Sequence, residues 1–175
     1  KTMAFGAKVI TVSDSSGTIV DEAGFTPEKL AILAEVKNHL YGRVSDYAER
    51  VGAKFIPGER PWRVPVDVAL PCATQNEVSE DDAATLIKNG VICVAEGANM
   101  PCTAGAVKRF EHAKVLFAPG KASNAGGVAT SGLEMSQQAM RLFWSHEEVD
   151  ARLQEIMRAI HNSCLRYGEQ SDGRI

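Results

Sequence analysis

Residues 119–134 read PGKASNAGGVATSGLE and lie between two segments with different hydrophobic patterns. The apolar run before them, at residues 115–118, is typical of a short buried strand. After them, apolar side chains at helical spacing, including Leu133 and Phe143, indicate a helix that continues to about Trp144. A polar, glycine-rich segment between a strand and a helix is where parallel α/β sheets bind ligands. The same segment could instead be only a glycine-rich turn with a helix cap.

Two further predicted strands end in polar loops of the same kind. The apolar run at residues 66–70 leads into the loop 71–77, and the run at 91–95 leads into 96–101. Right-handed crossovers place such loops on one edge of a parallel sheet, which suits a long, flat ligand such as a dinucleotide. We therefore predict an α/β fold with a Rossmann-like, doubly wound, mostly parallel sheet in three layers, followed by C-terminal helices.

The predicted organisation is one domain with two parts. Residues 1–144 form the dinucleotide-binding part, and residues 145–175 form a C-terminal helix and tail that pack on it. Residues 2–7 look like the end of a helix before a strand at 8–13. In such folds a strand and a glycine-rich turn precede this helix, so we expect the sequence to be a segment that lacks both, and we expect its polar end to be truncated too.

The strand at residues 8–13 ends in Asp14, Ser15 and Ser16. An acid at this position commonly binds the adenosine ribose of a dinucleotide. The carboxylate suits a free ribose hydroxyl, whereas the two serines can donate to a phosphate, so the residues alone leave NAD and NADP both open. The same residues would also form an Asx turn at the strand end.

Three later helices have recognisable starts. Residues 18–26 are predicted to be a loop, after which Thr26 caps a helix that begins at Pro27. Ser79 and Thr103 are predicted to cap two further helices.

Composition excludes several classes of function. The chain has 175 residues, 45% of them hydrophobic, and a net charge of -3 with no basic block, which gives no case for nucleic acid. We find no signal peptide, membrane-spanning run or metal-binding spacing, and expect a cytoplasmic protein. We interpret the cysteines as reduced thiols: Cys72, Cys93, Cys102 and Cys164.

Five segments together resemble the NADP-dependent glutamate dehydrogenases: residues 13–17, 60–62, 70–77, 95–101 and 119–134. The resemblance runs along nearly the whole chain but covers only the nucleotide-binding part of that enzyme. It implies an oxidoreductase of amino-acid metabolism and nitrogen assimilation, a homohexamer that converts L-glutamate, NADP and water to 2-oxoglutarate, ammonium and NADPH.

The resemblance also implies roles for particular residues. They are Asp14 and Ser15 at the adenosine ribose, Ala73, Thr74, Gln75 and Asn99 along the cofactor and its nicotinamide half, Asn124 at the nicotinamide amide, and Ser131 at the distal carboxylate of the substrate. The catalytic lysine and aspartate of the family lie in another domain, and no stretch here matches them. Lys121 is not a substitute, so we expect this chain alone to be inactive.

Thr74, Gln75 and Asn99 can also be interpreted as ordinary residues of polar strand-to-helix turns. Two other functions therefore stay open from the sequence. One is a nucleotide-binding or interaction module without catalysis. The other is a domain of a different amino-acid dehydrogenase, which would differ mainly around Ser131.

Overall fold

The computed structural model describes residues 1–168, and the prediction of a polar tail at residues 169–175 lies outside them. The chain divides into two compact units, Lys1–Val64 and Pro65–Ile175, and each is described by itself. The predicted division into residues 1–144 and 145–175 stays a prediction. No helix among residues 1–168 is both long and apolar enough to cross a membrane.

The first unit is an antiparallel sheet with two α-helices. Its strands are ordered β1-β2-β3, and both pairings are antiparallel. Short 3-10 turns lie at Thr2–Phe5 and Pro61–Arg63. The elements are β1 (Thr11–Asp14), β2 (Gly17–Val20), α1 (Pro27–Asn38), α2 (Val44–Val51) and β3 (Lys54–Pro57).

Strands β1 and β2 form a tight hairpin that the sequence reading missed. Asp14 pairs with Gly17, which leaves two residues for the turn. Thr18, Ile19 and Val20 are buried and β-branched, so they favour a strand where we expected a loop. The expectation of one mostly parallel sheet is therefore wrong for the strands of this unit.

The helices of the first unit cover its sheet with apolar side chains. The Thr26 hydroxyl caps α1 by accepting from Lys29 N, and Pro27 occupies the first helical position, as predicted. The rings of Phe25 and Tyr47 stack with centroids 6.0 Å apart. One buried cluster results, made of Ile19, Phe25, Leu33, Val36, Val44, Tyr47 and Ala48.

The second unit contains the predicted parallel sheet. Its strands are ordered β4-β5-β6 and both pairings are parallel, so the α/β class is confirmed. The elements are β4 (Val68–Ala69), α3 (Glu80–Lys88), β5 (Cys93–Ala95), α4 (Ala104–His112), β6 (Leu116–Ala118), α5 (Gly120–Ser123), α6 (Gly126–Ala139) and α7 (His146–Gly168).

Helices α3 and α4 begin at the predicted caps. Ser79 and Asp82 form a reciprocal capping box at the start of α3, and the Thr103 hydroxyl accepts from Ala106 N at the start of α4. Leu86 and Phe110 point into the core with 1% and 0% of their surface exposed. These caps define where each helix begins after the preceding parallel strand, and they therefore fix the lengths of the intervening loops.

The glycine-rich segment is more helical than expected. It forms α5 and the start of α6, because Pro119 leads into α5 with extended backbone and Glu96 accepts a hydrogen bond from Gly120 N. Helix α6 ends at Ala139 instead of near Trp144. Phe143 lies beyond that end and is 95% exposed, so the predicted apolar spacing does not continue the helix.

Candidate functional site

The loops that follow β4 and β5, together with Asn124 at the end of α5, surround an open depression of about 390 Å³ in the second unit. All the cofactor-binding residues predicted for this unit line it, together with three that were not predicted. The predicted residues are Ala73, Thr74, Gln75, Asn99 and Asn124, and the others are Cys72, Gly97 and Ala98.

Backbone hydrogen bonds join the first two loops of this depression. The N–H groups of Gly97 and Ala98 both donate to the Pro71 carbonyl, at 2.9 and 3.2 Å. Farther along, Asn76 N donates to Met100 O at 3.1 Å. The loops after β4 and β5 are therefore joined at both ends, and the residues between these bonds lie at the rim.

Two buried carboxylates support the loops from below. Glu77 is 8% exposed and accepts from Ala73 N at 2.8 Å. Glu96 is 5% exposed, and its two carboxylate oxygens accept from Cys102 N at 3.2 Å and from Gly120 N at 2.6 Å. Each carboxylate therefore accepts backbone donors from the loops and helix start around the depression, including the N–H of the buried Cys102.

Two asparagine side chains meet across the depression. Asn124 Nδ2 donates to Asn99 Oδ1 at 2.5 Å. Each amide keeps further donor or acceptor positions, because an amide carries two N–H donors and two acceptor lone pairs. The Thr74 hydroxyl and the Gln75 amide lie on the same rim. This donor and acceptor set fits the carboxamide and ribose hydroxyls of a pyridine nucleotide.

The cysteines near the depression are not activated nucleophiles. Burial, and then the negative charge of Glu77, raise the pKa of the Cys72 thiol. Burial and the adjacent Glu96 carboxylate raise the pKa of the Cys102 thiol well above its usual range. Both sulfurs therefore stay protonated at neutral pH, when a reactive cysteine would need to be a thiolate.

The end of β1, in the first unit, holds Asp14 in a dense set of hydrogen bonds. Its Oδ1 accepts from Ser16 N at 2.8 Å and from Ser16 Oγ at 2.6 Å. Its Oδ2 accepts from Lys37 Nζ at 2.9 Å and from Val44 N at 3.1 Å. Burial alone would raise the pKa of Asp14, but these bonds together hold it well below its ordinary value.

Two basic side chains lie beside this carboxylate, and the sequence reading did not single them out. Lys37 pairs with Asp14, and Arg43 Nη1 donates to Ser15 Oγ at 2.8 Å. Ser15 thus keeps its own hydroxyl proton for another acceptor. Lys37 and Arg43 are 23 and 28 residues from their partners in sequence, so no local motif signals the cluster.

Ser131 is placed apart from the other predicted residues of its unit. It is exposed on helix α6 and does not line the depression. A larger open groove of about 790 Å³ runs between α3 and α4, beside the ion pair of Glu80 and Arg109, and none of the predicted site residues lines it. Among residues 1–168, no group of three or more potential ligand side chains is arranged to hold a metal ion.

A sequence model of the Glutamate/Leucine/Phenylalanine/Valine dehydrogenases matches residues 1–175. The chain belongs to this dehydrogenase family. The predicted resemblance to NADP-dependent glutamate dehydrogenases is also confirmed. An NADP-specific glutamate dehydrogenase from Salmonella typhi is 64% identical over 168 residues, which are 96% of this chain and 38% of that protein.

Two other relatives extend the comparison. An NAD(P)-specific glutamate dehydrogenase from Xylanibacter ruminicola is 54% identical over 175 residues, which are 100% of this chain and 39% of that protein. The crystal structure of Plasmodium falciparum glutamate dehydrogenase superimposes with a TM-score of 0.88 and 47% identity, covering 94% of this chain and 35% of that chain. The chain thus spans under two fifths of the length of these relatives, and the two bacterial enzymes differ in cofactor specificity, NADP for one and NAD(P) for the other.

Proposed function

We propose that the chain is the NADP-binding segment of a glutamate dehydrogenase that interconverts L-glutamate and 2-oxoglutarate with release or uptake of ammonium. The observation that carries this is the single depression lined by Ala73, Thr74, Gln75, Asn99 and Asn124. Its position at the carboxyl ends of parallel strands supports a Rossmann-like, doubly wound architecture. The bound cofactor supplies the acceptor or donor of the hydride.

In this proposal the residues of the second unit orient the nicotinamide half. Thr74, Gln75 and Asn99 hold it through side-chain hydrogen bonds, and Asn124 binds its carboxamide. The contact between Asn124 and Asn99 supports their joint role, because it places two amides side by side at the rim. Ser131 binds the distal carboxylate of the substrate, from its exposed position on α6.

No residue of the chain is assigned to proton transfer. A neutral hydroxyl binds a carboxylate more weakly than a charged donor does, so Ser131 needs cationic partners. We place those groups, and the catalytic acid and base, in other parts of a cytoplasmic, homohexameric enzyme. The chain by itself then lacks the groups that complete the reaction.

The first test measures turnover. This chain is mixed with 2-oxoglutarate, ammonium and NADPH, with NADH in parallel, and the absorbance of the reduced cofactor is followed at its long-wavelength maximum. We expect no decay with the chain alone and rapid decay with the longer protein that contains it. Decay with the chain alone would contradict the absence of catalytic groups, and an inactive longer protein would contradict the proposed reaction.

The charges around Asp14 favour NADP over NAD. All four lone-pair directions of the carboxylate are filled by Ser16, Lys37 and Val44, so Asp14 has none left for ribose hydroxyls. By contrast, Ser15 retains a hydroxyl proton, and Arg43 and Lys37 carry positive charge nearby. We propose that this cluster binds the 2′-phosphate and that Asp14 positions the donors instead of contacting the ribose directly.

Two arginines allow a matched test of cofactor choice. Arg43 immediately precedes helix α2, and Arg50 lies on it. Arg43→Gln removes the guanidinium beside Ser15, whereas Arg50→Gln removes one that pairs with Glu35. We expect Arg43→Gln to raise the Kd of adenosine 2′,5′-bisphosphate about tenfold or more, as for loss of a charged hydrogen bond, and to leave AMP affinity unchanged. Arg50→Gln should change neither by more than about twofold.

Isothermal titration calorimetry with both probes provides the measurement. Because the two nucleotides differ in the 2′-phosphate, their comparison isolates this group from adenine and ribose contacts. An equal loss of affinity for both probes in Arg43→Gln would place the arginine elsewhere on the nucleotide. Equal affinity of the unmodified chain for both probes would contradict the preference for NADP.

A further inference from the structure

Glu96 occupies an unusual position beneath the depression. It is a carboxylate with only 5% of its surface exposed, and the two oxygens face two different loops. Oε1 accepts from Cys102 N, at the end of the loop that carries Asn99. Oε2 accepts from Gly120 N, at the start of the helix that leads to Asn124.

The backbone of Glu96 adds one further link to the same helix and one to β6, the strand that precedes it. Its carbonyl oxygen accepts from Ser123 Oγ at 2.6 Å, and its N–H donates to Ala118 O at 3.0 Å. Ser123 is adjacent to Asn124 in the chain. One residue therefore binds the strand before α5, the first residue of α5 and its last residue.

The packing leaves little freedom for this arrangement. A methyl group placed on Gly120 would lie 3.0 Å from the Ala98 carbonyl oxygen and 3.2 Å from Glu96 Oε2. Ala98 immediately precedes Asn99, so α5 rests directly against the loop that carries this asparagine. The contacts between this loop, Glu96 and α5 therefore fix the separation of the two asparagine amides.

We propose that Glu96 is a positioning residue for the pyridine-nucleotide site, which holds the Asn99 and Asn124 side chains in their hydrogen-bonded pair. The expected effect on cofactor binding rests on the proposed function. The hydrogen bond between the two asparagines is present in the chain without a ligand. Glu96 does not line the depression. It acts through the backbone donors of Cys102 and Gly120.

A carboxylate is the side chain that this position requires. Both of its oxygens face N–H donors, and an ionised carboxylate only accepts. A glutamine of the same size has one accepting oxygen and one NH2 group, so one of the two backbone donors would face another donor. Glu96→Gln should therefore break one link while preserving the volume of the side chain.

The test uses this chain labelled with nitrogen-15 and follows the side-chain amide resonances of Asn99 and Asn124. In Glu96→Gln we expect the Asn124 amide protons to shift upfield and to exchange faster with water, as a lost hydrogen bond requires. We also expect the Kd for NADP, from calorimetry, to rise about tenfold.

Asp82→Asn is the matched control. It removes a carboxylate with the same change of charge, and Asp82 likewise accepts hydrogen bonds from a helix start, at Ser79 N and Ser79 Oγ. It lies on α3 and does not line the depression. We expect it to lower the melting temperature while leaving the asparagine resonances and the NADP Kd within about twofold of the unmodified chain.

The outcomes separate the proposal from the function on which it rests. Unchanged asparagine resonances in Glu96→Gln would overturn the positioning role, even if NADP affinity fell. Shifted resonances would support the role even in a chain with no measurable NADP affinity, a result that would count against the proposed function instead. If Glu96→Gln does not fold, Gly120→Ala perturbs the same contact more gently and should shift the same two resonances.

Discussion

At the scale of single residues, Asp14 is the clearest electrostatic contribution to stability. Its side chain is 16% exposed and accepts from Lys37, two groups of Ser16 and Val44 N. We expect Asp14→Asn to lower the free energy of unfolding by about 2 kcal/mol at pH 7, because an asparagine amide would face donors and lose the charge-assisted bonds.

The pH dependence of this effect follows from the lowered pKa of Asp14. A carboxyl whose pKa is lower in the folded than in the unfolded chain stabilises the fold above its unfolded pKa, 3.8, and loses that contribution as the pH falls toward the folded value. Urea denaturation should therefore show a large difference between Asp14→Asn and the unmodified chain at pH 7 and a smaller one at pH 3. The exposed Glu22→Gln variant serves as control; a difference independent of pH would contradict the assignment.

Whether a residue of the site could be predicted depended on how far its partners lie from it in the sequence. Thr74, Gln75 and Asn99 were assigned through the resemblance to glutamate dehydrogenases, and they lie in loops that follow apolar strands, whose ends gather at one sheet edge. Lys37 and Arg43 were not predicted, because their contacts with Asp14 and Ser15 depend on how two helices pack on a hairpin. Glu77 and Glu96 were missed for the same reason, since burial of a carboxylate is a tertiary property.

At the scale of elements, the β1–β2 hairpin depends on Gly17. Its φ of +147° disfavours other residues, and an added methyl group would clash with the Ile56 carbonyl oxygen and lie 2.9 Å from Phe55 Cζ. We expect Gly17→Ala to cost about 3 kcal/mol of stability, from backbone strain and crowding together.

Gly58→Ala is a control at the end of the same sheet, just after β3. Gly58 also has a positive φ, +68°, but an added methyl group would meet nothing within 4 Å. Its cost should be near 1 kcal/mol, as for one residue in a left-handed conformation. The two values come from urea denaturation under identical conditions, and equal costs would mean that crowding at Gly17 contributes nothing.

Local signals predicted the helix starts well and the glycine-rich segment poorly. Ser79, Thr103 and Thr26 were found because a cap needs only residues three positions apart. Gly120 has low helix propensity, and the short helix at residues 120–123 is stabilised by hydrogen bonds to Glu96 that no local pattern reports. The hairpin was missed because residues 14–17 were interpreted as the end of a strand and residues 18–26 as a loop, and the turn residues Ser15 and Ser16 are not among the usual hairpin-turn pairs.

At the scale of the whole molecule, each compact unit has its own apolar core. In Lys1–Val64 the core is the cluster that includes Leu33, which is 6% exposed. In the unit that begins at Pro65 the core includes Leu86, which is 1% exposed and lies on α3. Units with separate cores can open separately, because local stability follows local burial.

We therefore expect core substitutions to act within their own unit. Leu33→Ala and Leu86→Ala should each cost about 2–5 kcal/mol, as for deletion of a buried leucine side chain. In hydrogen–deuterium exchange followed by mass spectrometry, Leu33→Ala should speed exchange of amides in residues 1–64 and leave those of 65–168 unchanged, and Leu86→Ala should do the reverse. Faster exchange throughout the chain in either variant would mean that the two cores form one cooperative unit, and nucleotide binding to the depression would then also stabilise the hairpin that carries Asp14.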